Sequence, residues 1–296
     1  MSLRALYDLP APAKLNLFLH VVGRRDDGYH LLQSPFVLID WCDTLHLERR
    51  DDGRLQRHDL GAALPDDDLC LRAARALQAE SGCTLGADIA IDKRVPSGAG
   101  MGGGSSDAAT VLIGLDRLWG LGWSRARLAA LGARLGADVP FFIGGQDAFV
   151  EGIGERLRPI ALPKQWYAVV KPEESLPTAR IFSHPALTRD TEAVIVEGSL
   201  EDTHLMEAWA GGFGRNDLQP VAEACSTEVA QAARWLEARF GNSRMTGSGS
   251  AVFARAGTGD VPMATLPEQQ LAPGWEGRMC RGLGRHPLAD WPGQDG

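Results

Sequence analysis

The sequence predicts an α+β protein of two domains with a cleft between them. Three observations lead to this prediction. Apolar residues alternate along residues 14–21, as in a strand, and they recur with a helical period along residues 68–80. Residues 151–163 are rich in glycine and proline, which is typical of a boundary between domains. A chain of 296 residues suits one large domain or two medium ones, and we expect two, at residues 1–160 and 161–296.

The N-terminal half is predicted to start with a strand that has two different faces. One face consists of Leu15, Leu17, Leu19 and Val21. The other consists of Lys14, Asn16, Phe18 and His20. A second strand is predicted at about residues 36–47, and the polar, acidic stretch that follows it indicates a hairpin or an excursion up to residue 68.

Helices and strands then alternate along the chain. DLCLRAARALQAE (residues 68–80) predicts an amphipathic helix that ends before Gly82, and residues 87–92 predict a short strand. Two helices should follow, one ending near Trp119 and one running from Ser124 to Gly136. GADVPFFIGG, which starts at Gly136, predicts a buried turn that leads into a strand.

The second domain is predicted to contain both strands and helices. Residues 166–170 predict a strand, and residues 217–240 predict one or more helices. GSGSAVFA at residues 247–254 predicts a glycine turn that enters a strand, and GRMCRGLG at residues 277–284 predicts a closing strand.

The composition excludes several classes of protein. The chain is 44% hydrophobic, has no run of 18 apolar residues and lacks an apolar core near its N-terminus, so we expect a cytoplasmic protein that does not enter a membrane. A net charge of −8 argues against a nucleic-acid surface, which needs clustered lysine and arginine. The five cysteines are scattered and none has the spacing of a zinc site, so we expect free thiols.

The most informative segment is the glycine-rich loop PSGAGMGGGSSDAA at residues 96–109. It has five glycines in seven positions, and glycine allows the backbone to turn through positive φ and to approach a ligand closely. An apolar helix follows, which we expect Ser105 and Ser106 to cap. Because a helix start offers unpaired N–H groups and partial positive charge, the loop predicts a phosphate site of a nucleotide enzyme.

Three other interpretations of this loop fit less well. A P-loop needs a lysine where this chain has Gly104. The GxGxxG pattern of a dinucleotide site is formally present, but Pro96 interrupts the approach, and a long helix follows where a second strand with an acidic end is expected. A flexible linker is disfavoured because an apolar helix begins immediately after the loop.

A kinase without the P-loop lysine still needs a cation and a group that activates the accepting hydroxyl. Lys14 and Asp138 fit these needs, because a carboxylate beside Phe141 and Phe142 is costly unless it is paired. The residues alone leave other roles open. Asp138 also suits a helix cap or a structural salt bridge, and Lys14 also suits a solvated lysine on an edge strand.

Several segments together resemble the galactokinase, homoserine kinase, mevalonate kinase and phosphomevalonate kinase (GHMP) superfamily. PSGAGMGGGSSDAA is similar to its phosphate-binding motif, and GSGSAVFA is similar to its third motif. APAKLNLFLHVVGRRDDGYHLLQS, GADVPFF and NDLQPVA resemble the members that act on 4-diphosphocytidyl-2-C-methyl-D-erythritol. The matching segments occur in order from Ala11 to about Ala254 and therefore cover most of the chain.

The resemblance implies a two-domain fold with the active site in the cleft. The N-terminal, ATP-binding domain would resemble a ribosomal-protein (S5-like) domain, and the C-terminal domain would be ferredoxin-like α+β. The implied activity is ATP-dependent phosphorylation of the substrate's 2-hydroxyl in the non-mevalonate route to isoprenoid precursors. Mg²⁺ would be carried with ATP, held largely by phosphate oxygens and water, with Ser106 as the one protein ligand considered.

The resemblance also implies roles for individual residues. Lys14 and Asp138 would be the catalytic pair, and Asn16 lies beside Lys14 at the substrate. The ATP phosphates would be held by Pro96, Ser97, Gly98, Ala99, Gly100, Met101, Gly102, Gly103, Gly104, Ser105 and Ser106. The cytosine end of a substrate with a cytidine diphosphate moiety would be bound by Tyr29, His30, Thr178 and Phe182. Without the resemblance, Phe182 is more typical of a core residue and His30 of a structural histidine.

The chain departs from the superfamily pattern at two positions. Met101 replaces the usual leucine, and Asp68 replaces the usual asparagine near the adenine.

Three alternative functions are considered. They are a kinase of the same superfamily with a mevalonate- or homoserine-type substrate, a non-catalytic nucleotide sensor and an RNA-binding module. Tyr29, His30 and Phe182 argue against the first, the Lys14–Asp138 pair against the second and the net charge against the third.

Overall fold

The structure is a computed structural model that describes residues 3–196 and 202–291. Its first part is a seven-stranded sheet covered on one face by helices. The strands of this sheet are β1 (Ala5–Asn16), β2 (His20–Arg24), β3 (His30–Arg50), β4 (Leu55–Asp59), β5 (Gly86–Asp92), β6 (Ala148–Gly152) and β7 (Arg156–Pro159). The helices of this part are α1 (Leu69–Ser81), α2 (Gly103–Trp119), α3 (Arg125–Ala133) and α4 (Val139–Gly144).

The long strand β3 organises the first sheet. The sheet order is β4-β5-β3-β6-β7, and β1 and β2 also pair with β3. β3 is longer than the predicted strand because its two halves serve different partners, β6 near Phe36 and β5 beyond Thr44. The predicted excursion after β3 contains β4, which pairs in parallel with β5.

The prediction of one continuous strand along residues 14–21 was wrong. β1 ends at Asn16, and the chain leaves the sheet before β2 begins, because Leu19 pairs with Asn216 in the second part of the molecule. Both faces of this segment are buried, including Lys14 and Phe18. The alternation of residue types therefore marks two different buried surroundings rather than a core face and a solvent face.

The helices match the predictions except at their ends. Asp68 caps α1 and Gly82 ends it, and residues 87–92 form a strand as predicted. The expected serine caps of α2 were wrong, because Gly102 precedes the helix and Ser105 and Ser106 lie inside its first turn. The helix that starts after Ser124 ends three residues earlier than predicted.

The segment GADVPFFIGG forms the short helix α4, not the predicted turn. Pro140 lies in the first turn of α4. A backbone N–H at that position has no partner within the helix, so its absence in proline costs no hydrogen bond. The side chains of Phe141 and Phe142 are buried in the core between the sheet and α2. The strand predicted after this segment is β6.

The second part is a four-stranded antiparallel sheet with helices on one face. Its strands are β8 (Trp166–Lys171), β9 (Arg244–Met245), β10 (Val252–Arg255) and β11 (Glu276–Arg281), in the order β11-β8-β10-β9. Its helices are α5 (Thr178–Ser183), α6 (Thr203–Gly211), α7 (Gln219–Cys225) and α8 (Thr227–Phe240). These elements confirm the strands and helices predicted in this half of the chain.

The first sheet ends at Pro159, and the second begins at Trp166. Most of the glycine- and proline-rich stretch 151–163 is the β6–β7 hairpin. In the described parts of the chain, no helix has both the length and the apolar character needed to cross a membrane.

Candidate active site

The glycine-rich loop leads directly into α2, the longest described helix. Gly98, Gly100 and Gly102 all have positive φ, a region in which a side chain would be strained. Gly102 also needs its small size, because a Cβ there would lie 2.9 Å from the ring of Phe142. The loop therefore places bare backbone at the N-terminus of α2, where N–H groups and the helix dipole favour an anion.

A second glycine loop, residues 246–251, supports the first one through the backbone. Ser250 N donates to Gly98 O at 3.2 Å, and Ala251 N donates to Ala99 O at 3.1 Å. A Cβ on Gly100 would lie 2.4 Å from Thr246 O. The two loops are therefore packed too closely to admit side chains between them, which explains why both are rich in glycine.

The residues predicted to hold phosphate occupy different surroundings in this loop. Gly100 and Gly102 line the large cleft described below. The side chains of Ala99 and Met101 are buried in the core, so Met101 occupies an apolar position that would also suit the usual leucine. Ser106 Oγ is buried and has no hydrogen-bond partner among the described residues.

The structure brings Lys14 and Asp138 together. Lys14 Nζ lies 3.8 Å from Asp138 Oδ2, donates to Asn16 Oδ1 at 2.5 Å and lies 4.4 Å from the centre of the Phe36 ring. Lys14 is only 4% exposed, and this burial lowers the pKa of its amine, while the charge of Asp138 acts in the opposite direction. Asp138 precedes α4 but makes no side-chain cap bond, and it lines the cleft described below.

Asn16 holds the lysine from the other side. Its amide nitrogen donates to Ser34 Oγ at 2.8 Å, and its backbone N donates to Thr246 Oγ1 at 2.9 Å. Thr246 Oγ1 in turn lies 3.3 Å from Asn16 Oδ1. These bonds fix the amide so that its oxygen faces the Lys14 amine. Asn16 also lines the cleft, in which the substrate is expected to bind.

The residues predicted to bind cytosine gather beside α5. The rings of His30 and Phe182 are 5.2 Å apart and tilted by 36°. Thr178 Oγ1 lies 2.7 Å from the hydroxyl of Ser248 in the second glycine loop. Tyr29 is 61% exposed, which leaves its ring free to contact a ligand.

A single cleft of about 820 Å³ connects these groups. The predicted residues that line it are Lys14, Asn16, Tyr29, His30, Gly100, Gly102, Asp138, Thr178 and Phe182. Its volume suits a nucleotide-sized ligand. The cleft lies where the two glycine loops, β1, β3 and α5 meet.

Two charged groups in and near the site could not be predicted from the sequence, because no motif marks them. Arg189 lines the cleft and contacts His30, but a lone arginine in a loop has no motif. Lys93 bridges two buried carboxylates beside the start of α2: its Nζ contacts Asp43 Oδ2, and it lies 2.6 Å from Asp107 Oδ2. Burial raises the pKa of Asp107 well above its usual range.

Asp68, at the position where the superfamily usually has asparagine, has two structural contacts. Its Oδ1 accepts from Leu71 N at 3.1 Å and caps α1. It also pairs with Arg57 Nη1 at 2.8 Å. The carboxylate therefore stabilises the start of α1 and anchors the segment after β4.

Comparison with known proteins identifies the family to which the chain belongs. Residues 68–146 match the family model of the GHMP kinases N terminal domain, and residues 193–262 match that of the GHMP kinases C terminal. The chain is 65% identical to the 4-diphosphocytidyl-2-C-methyl-D-erythritol kinase of Methylibium petroleiphilum, over 99% of this chain and 100% of that protein. It is 54% identical to the kinase of the same name from Variovorax paradoxus, over 98% and 99% of the two chains.

Solved structures show the same fold. A crystal structure of 4-(cytidine 5'-diphospho)-2C-methyl-D-erythritol kinase superposes with a TM-score of 0.75 at 32% identity, covering 94% of this chain and all of that one. Homoserine kinase from Cytophaga hutchinsonii, at 15% identity, has a TM-score of 0.66 over 96% of each chain and shares the fold. This chain therefore belongs to the GHMP kinase family and, within it, to the 4-diphosphocytidyl-2-C-methyl-D-erythritol kinases.

Proposed function

We propose that this protein transfers the γ-phosphoryl group of ATP to the 2-hydroxyl of 4-diphosphocytidyl-2-C-methyl-D-erythritol, giving the 2-phosphate and ADP in the methylerythritol phosphate route to isoprenoid precursors. One observation carries the proposal. A single cleft contains the Lys14–Asp138 pair, the glycine loop at the start of α2, and the His30–Phe182 pair. The relatives named for this reaction support the same substrate.

In the proposed reaction, Asp138 accepts the proton of the substrate hydroxyl as its oxygen attacks the γ-phosphorus. Lys14 neutralises the negative charge that develops, and the buried surroundings of its amine strengthen that effect. The backbone N–H groups of residues 98–105 hold the phosphates at the start of α2, whereas the N–H of Ser106, which the motif also includes, already donates to Gly102 O. Positioning and charge neutralisation account for most of the catalysis in phosphoryl transfer.

Mg²⁺ would neutralise charge on the ATP phosphates. Within residues 3–196 and 202–291, no group of three or more His, Cys, Asp or Glu side chains could hold a metal ion. We propose that phosphate oxygens and water supply most of the ligands of Mg²⁺, as is usual for Mg²⁺ bound with a nucleotide. The side chain we consider as a direct ligand is Ser106, whose buried Oγ lacks a partner among the described residues.

The proposal includes the domain organisation and the partners. We assign ATP binding to residues 1–160 and closure of the cleft to residues 161–296, a division supported by the gap between β7 and β8. We propose a cytoplasmic location and no nucleic-acid partner, which rest on the composition and the net charge of −8.

The closest alternative is a kinase of the same family with a mevalonate- or homoserine-type acceptor. A coupled ADP-release assay against acceptors with and without the cytidine diphosphate moiety separates the two functions. We expect turnover only with the cytidine-linked acceptor. Equal turnover of acceptors without that moiety would overturn the substrate assignment but not the kinase activity, whereas no ADP release with any acceptor would favour a nucleotide sensor.

A further inference from the structure

Arg189, just after α5, holds the cytosine-binding region of the cleft together through four hydrogen bonds. Its Nη1 donates to Leu187 O at 3.0 Å, and its Nη2 donates to Phe182 O at 3.2 Å and to His184 O at 2.8 Å. Its Nε lies 3.1 Å from His30 Nε2. Three carbonyl groups of one segment therefore fix the guanidinium so that Nε–H faces the imidazole.

This contact determines which nitrogen of His30 carries the proton. Arginine has five N–H donors, no acceptor, and remains protonated in proteins. Since Nε–H of Arg189 faces His30 Nε2, that nitrogen must be an acceptor and carries no proton. Burial, together with the charges of Arg189 and Arg24, lowers the pKa of His30 and favours the neutral ring. The proton of neutral His30 is therefore on Nδ1.

The remaining nitrogen is available to a ligand. His30 lines the cleft beside the ring of Phe182, and Nδ1 has no hydrogen-bond partner among the described residues. With its proton on Nδ1, His30 offers a donor and no acceptor at this point. A base that stacked on Phe182 would bring its edge close to His30 and within reach of that donor.

We propose that Arg189 makes the site specific for cytosine over uracil, by keeping the proton of His30 on Nδ1, where it donates to the base. This inference rests on the proposed function and adds the origin of its base specificity. Ring nitrogen N3 is an acceptor in cytosine and carries a proton in uracil, so Nδ1–H of His30 matches cytosine and opposes uracil. Arg189 acts as a positioning residue, because it touches His30 rather than the base.

The kinetic test compares the cytidine-linked substrate with the same molecule carrying uracil. A mismatched donor pair should reduce kcat/KM for the uracil compound ~100-fold in the unmodified protein. Arg189→Met removes the donor to Nε2 and allows His30 to present an acceptor, so the preference should fall to within ~10-fold. Arg189→Lys keeps an N–H donor while losing the fork, and should retain most of the preference. Arg180→Met, an exposed arginine on α5, is the matched control for loss of charge and should keep the full preference.

A spectroscopic test is independent of turnover. Long-range ¹H–¹⁵N spectra of the histidine-labelled protein distinguish a proton on Nδ1 from one on Nε2, and His30→Gln identifies the His30 signals. We expect the Nδ1–H form in the unmodified protein and in Arg180→Met, and a loss of that preference in Arg189→Met. An Nε2–H form in the unmodified protein, or an unchanged cytosine preference in Arg189→Met, would overturn this inference. Absence of turnover with both compounds would instead contradict the proposed function.

Discussion

At the scale of single residues, the buried amine of Lys14 is the central feature of the site. A charged lysine that is withdrawn from water is unstable unless other groups compensate for the lost hydration. Here Asn16 Oδ1, the carboxylate of Asp138 and the face of the Phe36 ring compensate for it. The same arrangement leaves the charge poorly screened, so that in the proposed reaction it would act strongly on the phosphoryl group.

Asp138→Asn tests the proposed base. The change keeps the shape of the side chain but removes its ability to accept a proton, so kcat should fall by ~10²–10⁴-fold. ATP affinity should be nearly unchanged, because the proposed phosphate site consists of backbone N–H groups of another segment. Kinetics of ADP release and calorimetric ATP binding measure the two quantities. Activity above a few per cent of the original in a folded variant would remove Asp138 as the base.

The pH dependence of activity tests Lys14. Because burial lowers the pKa of its amine, Lys14 loses its charge at lower pH than an ordinary lysine. If the charge is needed, kcat should be constant at neutral pH and should fall as the pH rises through this lowered pKa. The fall should be absent from the residual activity of Lys14→Arg, since a guanidinium remains charged throughout that range. The same alkaline fall in both proteins would assign it to another group.

At the scale of elements, the two glycine loops act as one unit. The first supplies the backbone of the proposed phosphate site, and the second fixes its position through Ser250 N and Ala251 N. Lys93 stabilises the start of α2 from the other side by joining Asp107 of α2 to Asp43 of β3. The proposed phosphate site, which lacks a P-loop lysine, therefore depends on close backbone packing.

Two glycine-to-alanine substitutions test whether the close packing of the two loops matters. One adds a methyl group between the loops, and the other adds it where there is room. Gly100→Ala places a Cβ 2.4 Å from Thr246 O at a residue with φ of +73°. We expect it to lower the free energy of unfolding by ~2 kcal/mol or more and to raise KM for ATP. In Gly104→Ala, within α2, the new Cβ meets its nearest neighbour, Leu69 Cδ1, at 3.7 Å.

The Gly104→Ala control should leave the free energy of unfolding unchanged or raise it by up to ~1 kcal/mol, because alanine favours a helix over glycine. Chemical denaturation measures both variants under the same conditions. Equal loss of stability in the two would show that the close approach of the two loops has no special role.

At the scale of the whole molecule, the cleft exists because the two sheets are joined at several points. Ile39 of β3 pairs with Gly282 after β11, and Leu19 pairs with Asn216 before α7. Arg244 of β9 adds a further junction. It donates to Leu17 O, between β1 and β2, and to the carbonyl groups of Gly212, Phe213 and Gly214 after α6.

Arg244→Met tests this junction. The change leaves the carbonyl groups without their donor, and we expect the free energy of unfolding to fall by ~3 kcal/mol. The exposed Arg234 of α8 is the matched control, and Arg234→Met should change it by less than ~0.5 kcal/mol. Denaturation followed by fluorescence and circular dichroism measures both. Similar values for the two variants would argue that Arg244 does not hold the two parts together.

The elements show how far local sequence patterns can be trusted. The caps Asp68 and Gly82 marked the ends of α1 correctly, because capping depends on neighbouring residues. The prediction of one strand along residues 14–21 was wrong, because Leu19 pairs with Asn216 in the second part of the chain. No local sequence pattern indicates that contact. The prediction that Ser105 and Ser106 cap α2 was wrong, because the helix begins earlier, after Gly102.

The mixed α+β character and the family could be predicted from the sequence alone, since helix caps, glycine runs and ordered motifs are read along the chain. Only the tertiary structure decided that Lys14 faces Asp138 at 3.8 Å, and that Arg189 reaches His30 from 159 positions away. These contacts depend on how the two sheets and α5 pack around the cleft. Packing at that distance is set by the sum of many weak, non-local interactions, which no short motif contains.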